Sequence, residues 1–76
     1  MKTKYKYIEF CFQETPGEKR PRWVCYNRKH SEQLGVIVYN SPWRQYIYEP
    51  SVAAIYSASC LCDIAEFLEA CGIEEV

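Results

Sequence analysis

The chain has 76 residues, a formal net charge of −1 and twelve aromatic residues (3 Phe, 2 Trp and 7 Tyr). A chain of this length forms one domain with one thin core, because it buries only about 60% of its unfolded surface. No stretch reaches the roughly 20 apolar residues of a membrane-spanning helix, and no apolar signal core follows the basic N-terminus. We therefore expect a single small domain, 1–76, in the cytoplasm.

The first half of the chain predicts two β-strands. Lys4–Phe12 places Ile8, Phe10 and Phe12 on one side of a strand, and this more apolar side is assigned to the core. A polar stretch with two prolines and a glycine follows, which predicts a turn region. Arg22–Asn27 is the second predicted strand, and a wholly polar connection follows it.

Two further strands are predicted in the middle of the chain. Leu34–Tyr39 is rich in β-branched residues and apolar on both sides, which is typical of a central strand. Gly35 in this strand indicates a bulge or a close backbone approach. Trp43–Tyr48 is the fourth strand, and Pro50 ends it because proline cannot donate to a sheet.

The C-terminal part of the chain predicts a helix. Ser59 is the expected N-cap, and Gly72 is expected to end the helix in the left-handed conformation. Before the helix, Ser51–Ser57 fits either a short fifth strand or an irregular crossing segment. One apolar stripe at helical spacing supports the helix: Leu61, Ile64, Ala65, Leu68 and Cys71, widened by Phe67.

These elements predict an α+β fold: an antiparallel meander of four to five strands with one C-terminal helix packed on one face. One helix covers one face of a sheet, so the other must meet solvent, a loop or a partner. Arg44, Tyr46 and Tyr48 are expected on that uncovered face, opposite Trp43 and Ile47, which are expected to pack in the core. Trp43 is also included among the candidate binding residues. Trp, Tyr and Arg are enriched in binding hot spots. The first hypothesis is therefore a non-enzymatic module that binds a protein, or a second copy of itself, through this face.

The second hypothesis is nucleic-acid binding. Residues 1–30 carry eight basic and three acidic residues, a charge of +5, whereas residues 31–76 carry one basic and seven acidic residues, a charge of −6. Basic residues interleaved with an aromatic suit phosphate contacts and base stacking. The residues expected to bind nucleic acid are Lys19, Arg20, Arg22, Trp23, Arg28 and Lys29.

Enzymatic function has the weakest support, and no catalytic residue, cofactor or metal site is predicted. His30 lies in a polar loop without a neighbouring nucleophile or orienting carboxylate. Cys60 and Cys62 have C-x-C spacing, which misses the usual zinc-ligand pattern, although a cysteine at a helix start can be a reactive thiol. A thiol-based or metal-dependent enzyme is the third hypothesis. The odd number of five cysteines favours reduced thiols in a reducing compartment.

Several of these motifs resemble those of a group of short bacterial and phage-encoded proteins of uncharacterised function. The likeness covers roughly the C-terminal two thirds of the chain. It rests on Leu34-Gly35-x-Ile37, Pro42-Trp43-Arg44-Gln45-Tyr46, Pro50 and Cys60-Leu61-x-Asp63-Ile64-x-x-Phe67. The group's pattern has other residues at two places, Val38-Tyr39 and Ile47-Tyr48, but the side chains at these positions are of similar size. The resemblance implies a compact sheet-plus-helix domain of mobile-element origin, and it implies no activity.

Overall fold

A computed structural model of the chain describes residues 1–17 and 19–75, with side chains up to residue 73. It contains one antiparallel sheet with the strand order β1-β2-β3-β4, followed by one helix. The elements are β1 (Ile8–Gln13), β2 (Arg22–Asn27), β3 (Gln33–Asn40), β4 (Gln45–Pro50) and α1 (Ala58–Glu75). The predicted α+β meander with a C-terminal helix is confirmed, with four strands in the described part of the chain.

The core lies between one face of the sheet and α1. Strand register aligns Phe10 with Cys25 and Trp23 with Ile37, so these side chains share a face. Phe67 of α1 is fully buried against it. The Phe67 ring stacks on Phe10 with centroids 3.9 Å apart and meets Trp23 edge-on at 5.1 Å; such pairs contribute about 0.5–1.5 kcal/mol each beyond area burial. We call this side of the sheet the helix face and the other side the open face.

The residues before β1 fold back along its outer edge. The Phe10 N–H donates to the Thr3 carbonyl at 2.8 Å, and a β-bridge joins Lys4 to Glu9. The strand predicted to begin at Lys4 therefore begins four residues later, at the start of β1. The turn also buries Tyr5, which the alternation predicts on the side away from the core; its ring meets Phe10 edge-on at 5.8 Å.

Gly35 lies beneath an aromatic ring of the neighbouring strand. A Cβ at this position would lie 2.5 Å from Cζ and Oη of Tyr48 and 2.6 Å from the Glu49 carbonyl oxygen. The β2–β3 pairing also shifts register next to it, between Cys25 and Tyr26. Both the close approach and the bulge expected near Gly35 are confirmed.

Helix α1 begins and ends at positions other than those predicted. The Cys60 N–H donates to Ser57 Oγ at 3.2 Å, so Ser57 is the cap and the predicted cap, Ser59, lies within the first turn. The prediction for Gly72 is also wrong, because the helix runs through it to residue 75 and its φ is not left-handed.

The buried stripe of α1 is centred on Phe67, with Ile64 and Cys71 beside it. The predicted stripe begins at Leu61, but Leu61 is 52% exposed. The helix is rotated to place the Phe67 ring on the sheet, and Leu61 lies about 120° around the axis from it at 3.6 residues per turn. Phe12, also predicted in the core, is 58% exposed near the end of β1 and touches Trp23 edge-on.

The connection from β4 to α1 is irregular. Residues 51–57 contain no strand, so the crossing-segment alternative is correct for this described stretch. Tyr56 packs against the core from this segment, whereas Val52 and Ile55 are almost fully exposed. The segment carries the chain from the β4 edge to the start of the helix.

Candidate functional site

The β3–β4 hairpin turn holds Trp43 and Arg44 outside the sheet. The turn residues, 41–44, connect the paired residues Asn40 and Gln45, and the Trp43 N–H donates to Asn40 Oδ1 at 2.9 Å. Arg44 has a φ of 55°, in the left-handed region that non-glycine residues seldom occupy. The fourth strand therefore starts two residues later than predicted. The prediction that Trp43 packs in the core is wrong, because its side chain is 69% exposed.

Tyr46 and Tyr48 lie on the helix face, so the prediction that they share the open face with Arg44 is wrong. Tyr48 pairs with the buried core residue Ile37. Tyr46 is 6% exposed, and Tyr48 is half-buried against the core. Because Arg44 belongs to the turn, the alternation of the strand starts at Gln45, which faces the opposite side from both tyrosines.

A chain of buried hydrogen bonds fixes Tyr48. The Tyr56 hydroxyl donates to the Leu34 carbonyl at 2.6 Å and lies 2.9 Å from the Tyr48 hydroxyl. Since the single proton of the Tyr56 hydroxyl is used in the bond to Leu34, the Tyr48 hydroxyl donates to Tyr56. Burial, together with the bond to Tyr56, raises the pKa of Tyr48. Burial raises the pKa of Cys25 to about 11, so this thiol stays protonated at neutral pH.

A groove of about 580 Å³ runs between β4 and α1. We call it the strand–helix groove. The helix contributes residues three or four apart, so they form one side of the groove. Glu69 is the one charged residue among the described residues that line it. The groove brings together three of the predicted binding residues, Trp43, Tyr46 and Tyr48, while Arg44 lies beyond its end. Its lining is Trp43, Gln45, Tyr46, Ile47, Tyr48, Ala65, Leu68, Glu69 and Gly72.

Strand β4 forms one edge of the sheet. No strand lies beyond it among residues 1–17 and 19–75. The Ser51 N–H donates to the Leu34 carbonyl at 2.8 Å, which makes Gly35 and Pro50 a non-hydrogen-bonded pair. Such pairs alternate with hydrogen-bonded pairs along the two strands. The backbone N–H and C=O groups of Tyr46 and Tyr48 therefore point away from β3. The edge groups of β4 therefore face outwards beside the strand–helix groove.

The open face of the sheet has an apolar centre. Val24 pairs with Val36, and Val38 pairs with Ile47. Val24 is only 6% exposed, whereas the other three are half-buried. These side chains, rather than the predicted tyrosines, form the apolar part of the uncovered face.

The basic residues of the nucleic-acid hypothesis lie at opposite ends of β2. Arg22 begins this six-residue strand, and Arg28 and Lys29 follow its last residue, so the two groups are separated by roughly 20 Å at 3.3 Å per residue. Trp23 packs in the core against Phe67, and Arg20 stacks on Tyr39 at 3.8 Å. The six residues therefore do not form one continuous surface.

A second groove, of about 820 Å³, lies where the first turn of α1 meets the β2–β3 loop. We call it the cationic groove. The sequence did not predict that these residues form one groove, because they come from three separate stretches of the chain. The lining is Lys6, Tyr7, Asn27, Arg28, Lys29, His30, Ile55, Ser57, Ser59 and Cys60.

The cysteines and His30 do not converge on a reactive centre. All five cysteines are free thiols; Cys25 and Cys71 are buried, and Cys11 and Cys62 are exposed. Among the described residues, no group of three or more His, Cys, Asp or Glu side chains is placed to hold a metal ion. His30 is exposed in the β2–β3 loop.

Comparison with models of protein families, with curated proteins and with solved structures gives no match to this chain. Within residues 1–17 and 19–75, the structure contains no helix with the length and apolar character needed to span a membrane.

Proposed function

We propose that the protein is a non-enzymatic protein-binding module whose binding site is the outer edge of β4 with the adjoining strand–helix groove, and that its partner is a second copy of the chain. The observation that carries the proposal is the regular, uncovered edge of β4. The β3–β4 register is continuous over the described strands, and no lysine or proline interrupts Gln45–Glu49. Edge strands without such interruptions are templates for pairing with another strand.

The two edges of the sheet differ in a way that supports this assignment. The outer edge of β1 is partly covered by the N-terminal segment, through the Phe10–Thr3 hydrogen bond and the Lys4–Glu9 bridge. The outer edge of β4 has no such cover in the described residues. Pairing through β4 would satisfy its outward N–H and C=O groups with backbone partners, as strand addition does in peptide recognition.

The register of the pairing follows from the backbone alternation. Tyr46 and Tyr48 direct their N–H and C=O away from β3, so an antiparallel pair centred on Ile47 places Tyr46 of one copy opposite Tyr48 of the other. Both tyrosine pairs are then hydrogen-bonded pairs. Ile47 faces Ile47 of the second copy on the open face, which joins the two apolar centres into one.

The charges along β4 are complementary to themselves in this register. In this register Gln45 faces Glu49 of the second copy, and Arg44, in the turn just before Gln45, lies at the same end of the pair as that carboxylate. Opposite charges on facing strands contribute about 0.2–1 kcal/mol per pair. A basic residue precedes the strand and an acidic one lies near its end, so a parallel arrangement would place like charges together. Antiparallel self-pairing is therefore the arrangement that the charges favour.

The helix face gives the same pair a second contact area. Two strand–helix grooves would meet at the β4–β4 junction and form one trough between the two helices. Ala65 and Gly72 are small and exposed, and Leu68 is half-buried, so this side of α1 offers shallow apolar surface to the other copy. Trp43, 69% exposed, lies at the end of each groove and would be covered from both sides.

The test compares two lysine substitutions by sedimentation velocity. We expect the wild-type chain to be dimeric at about 100 μM. Ile47→Lys should weaken the dimer at least tenfold, because like charges facing each other at the centre of the pairing repel. Val38→Lys is the matched control: Val38 pairs with Ile47 on the open face and is also half-buried, but it lies one strand inwards. A monomeric wild type, or equal weakening by both variants, would refute pairing through the β4 edge.

Disulfide trapping tests the register directly. In the proposed pair, two Ile47→Cys residues form a non-hydrogen-bonded pair with Cα atoms about 4.5 Å apart, within the range for a disulfide. Mild oxidation should therefore cross-link this variant. Val38→Cys is the control, since its two copies lie three strand spacings apart, about 14 Å. Wild-type protein treated in parallel corrects for Cys11 and Cys62, which are exposed. Efficient cross-linking of Val38→Cys, or none of Ile47→Cys, contradicts the register.

A further inference from the structure

We infer that the cationic groove binds a nucleotide unit, with the phosphate held by basic side chains and the base against Tyr7. This site lies at the other end of α1 from Trp43 and does not depend on the proposed self-association. Its volume of about 820 Å³ falls within the range of about 300–1,000 Å³ typical of small-ligand sites.

The charge of the groove selects an anion. Lys6, Arg28 and Lys29 contribute three positive charges, and His30 adds a further nitrogen donor or acceptor. No aspartate or glutamate lines the groove among the described residues, and the first turn of α1 carries no acidic residue. The chain as a whole has a charge of −1, so this positive surface is local. A phosphate group satisfies such a cluster, because Arg and Lys form short, charge-assisted hydrogen bonds to it.

The basic side chains stand on a rigid loop. Asn27 Oδ1 accepts hydrogen bonds from the backbone N–H groups of Lys29, at 2.9 Å, and His30, at 3.3 Å. Arg28 is fixed twice: its N–H donates to the Tyr7 carbonyl at 2.9 Å, and its Nη1 donates to the Tyr5 carbonyl at 2.7 Å. These bonds hold the loop backbone and the Arg28 side chain, so both lose less conformational freedom on binding, which raises affinity.

The groove also has an apolar component of the kind that takes a planar ring. Tyr7 is 49% exposed and Ile55 is 91% exposed, although both are large hydrophobic residues on the wall of a basic groove. The Lys6 Nζ lies 5.2 Å from the centroid of the Tyr7 ring, so a cation already stands beside the aromatic surface. Stacking of a base on an aromatic side chain next to cations is how proteins hold single nucleotides without reading their sequence.

The groove is suited to a nucleotide unit rather than to a long polyanion. The other basic residues, Lys19, Arg20 and Arg22, lie roughly 20 Å away at the far end of β2. A duplex would need a continuous basic surface, and the sheet does not provide one. The same nucleotide chemistry can come from a free mononucleotide or from one residue of a single strand, and the experiment below separates these two sources.

Isothermal titration at low ionic strength with adenosine 5′-monophosphate, adenosine and inorganic phosphate tests the composition of the ligand. We expect the monophosphate to bind at least tenfold more tightly than either fragment, and its affinity to fall as salt is raised. A phosphorylated ten-residue single strand is titrated in parallel. Tighter binding of the monophosphate identifies a free nucleotide as the ligand, and tighter binding of the strand identifies a strand residue. If neither binds, or if inorganic phosphate binds as well as the monophosphate, the inference is wrong.

Two charge reversals with the same change in net charge locate the site. Lys29→Glu should weaken binding about tenfold or more, because it places a carboxylate beside the phosphate position. Lys19→Glu, on an equally exposed lysine at the other end of β2, should change binding less than twofold. Tyr7→Ser should weaken the monophosphate while leaving inorganic phosphate unchanged. Equal effects of Lys29→Glu and Lys19→Glu would overturn the assignment, as would an unaltered affinity in Tyr7→Ser. Each variant is first checked for the wild-type far-ultraviolet circular dichroism spectrum.

Discussion

Substitution of Gly35 by alanine tests the packing that orients β4. The added Cβ would lie 2.5 Å from two atoms of the Tyr48 ring and 2.6 Å from the Glu49 carbonyl oxygen. Real Cβ atoms essentially never approach other heavy atoms so closely, so the ring or the strand must move. Movement of the ring also disrupts the hydrogen bond between the hydroxyls of Tyr48 and Tyr56, which lie 2.9 Å apart.

The expected loss of stability follows from three contributions. Overpacking of a core position costs about 1–3 kcal/mol, and loss of the Tyr48–Tyr56 hydrogen bond costs about 0.5–1.5 kcal/mol. The reduced freedom of the unfolded chain offsets this by about 0.4–1 kcal/mol. We therefore expect Gly35→Ala to lower the free energy of unfolding by about 2 kcal/mol, within a range of about 0.5–4 kcal/mol. This is a large part of the stability of so small a domain.

Urea denaturation followed by circular dichroism measures this loss, and the chain provides a matched control. Gly72 lies within α1, and a Cβ there would meet nothing within 4 Å; Gly72→Ala should raise the free energy of unfolding by up to about 1 kcal/mol. In a Tyr48→Ala background, Gly35→Ala should cost less, but still something, because the Glu49 carbonyl remains. An unchanged or increased stability of Gly35→Ala in the wild-type background would refute the packing argument.

Three further predictions concern the turn, the core and the buried thiol. Arg44→Gly should raise the free energy of unfolding by up to about 1 kcal/mol in urea denaturation, because Arg44 has a φ of 55°; a loss of stability would contradict this. Phe67→Leu should lower it by about 2 kcal/mol through the loss of two ring contacts, and a loss below 0.5 kcal/mol (about the limit for surface substitutions) would show that the stack contributes little. Burial raises the pKa of Cys25 to about 11 and that of Tyr5 to about 12, so the unfolded chain loses these protons at lower pH than the folded one. Stability should therefore be complete below about pH 9 and decrease between pH 9 and 12, and a flat profile in that window would refute it.

The fold could be predicted because its signals are local. Alternating apolar residues identify β1, β-branched residues identify β3, and polar connections separate β1, β2 and β3. Apolar residues at helical spacing identify α1. The C-terminal position of the helix then requires no parallel crossover. Each of these signals lies within one element, so the class of fold does not depend on contacts between distant residues.

The side of β4 that faces the core could not be predicted in the same way. Trp43, Gln45 and Ile47 on one side compete with Arg44, Tyr46 and Tyr48 on the other, and both sets contain large residues. Two features of the structure decide between them. Arg44 takes a left-handed conformation that ends the turn, and Gly35, on the neighbouring strand, leaves the space that the Tyr48 ring fills. The strand–helix groove depends on the same facts, since it exists only when the tyrosines face α1.

The fold-back of the N-terminal residues onto β1 has a consequence for stoichiometry. A sheet with one available edge forms a closed pair through a two-fold axis and then has no edge left to offer. A chain shortened by residues 1–6 would lose the Phe10–Thr3 bond and the Lys4–Glu9 bridge, and the outer edge of β1 would become available as well. Two open edges on one molecule permit addition at both sides without closure, which is how a discrete dimer becomes a fibre. If the chain pairs through β4 as proposed, the first six residues would therefore limit further growth of the sheet.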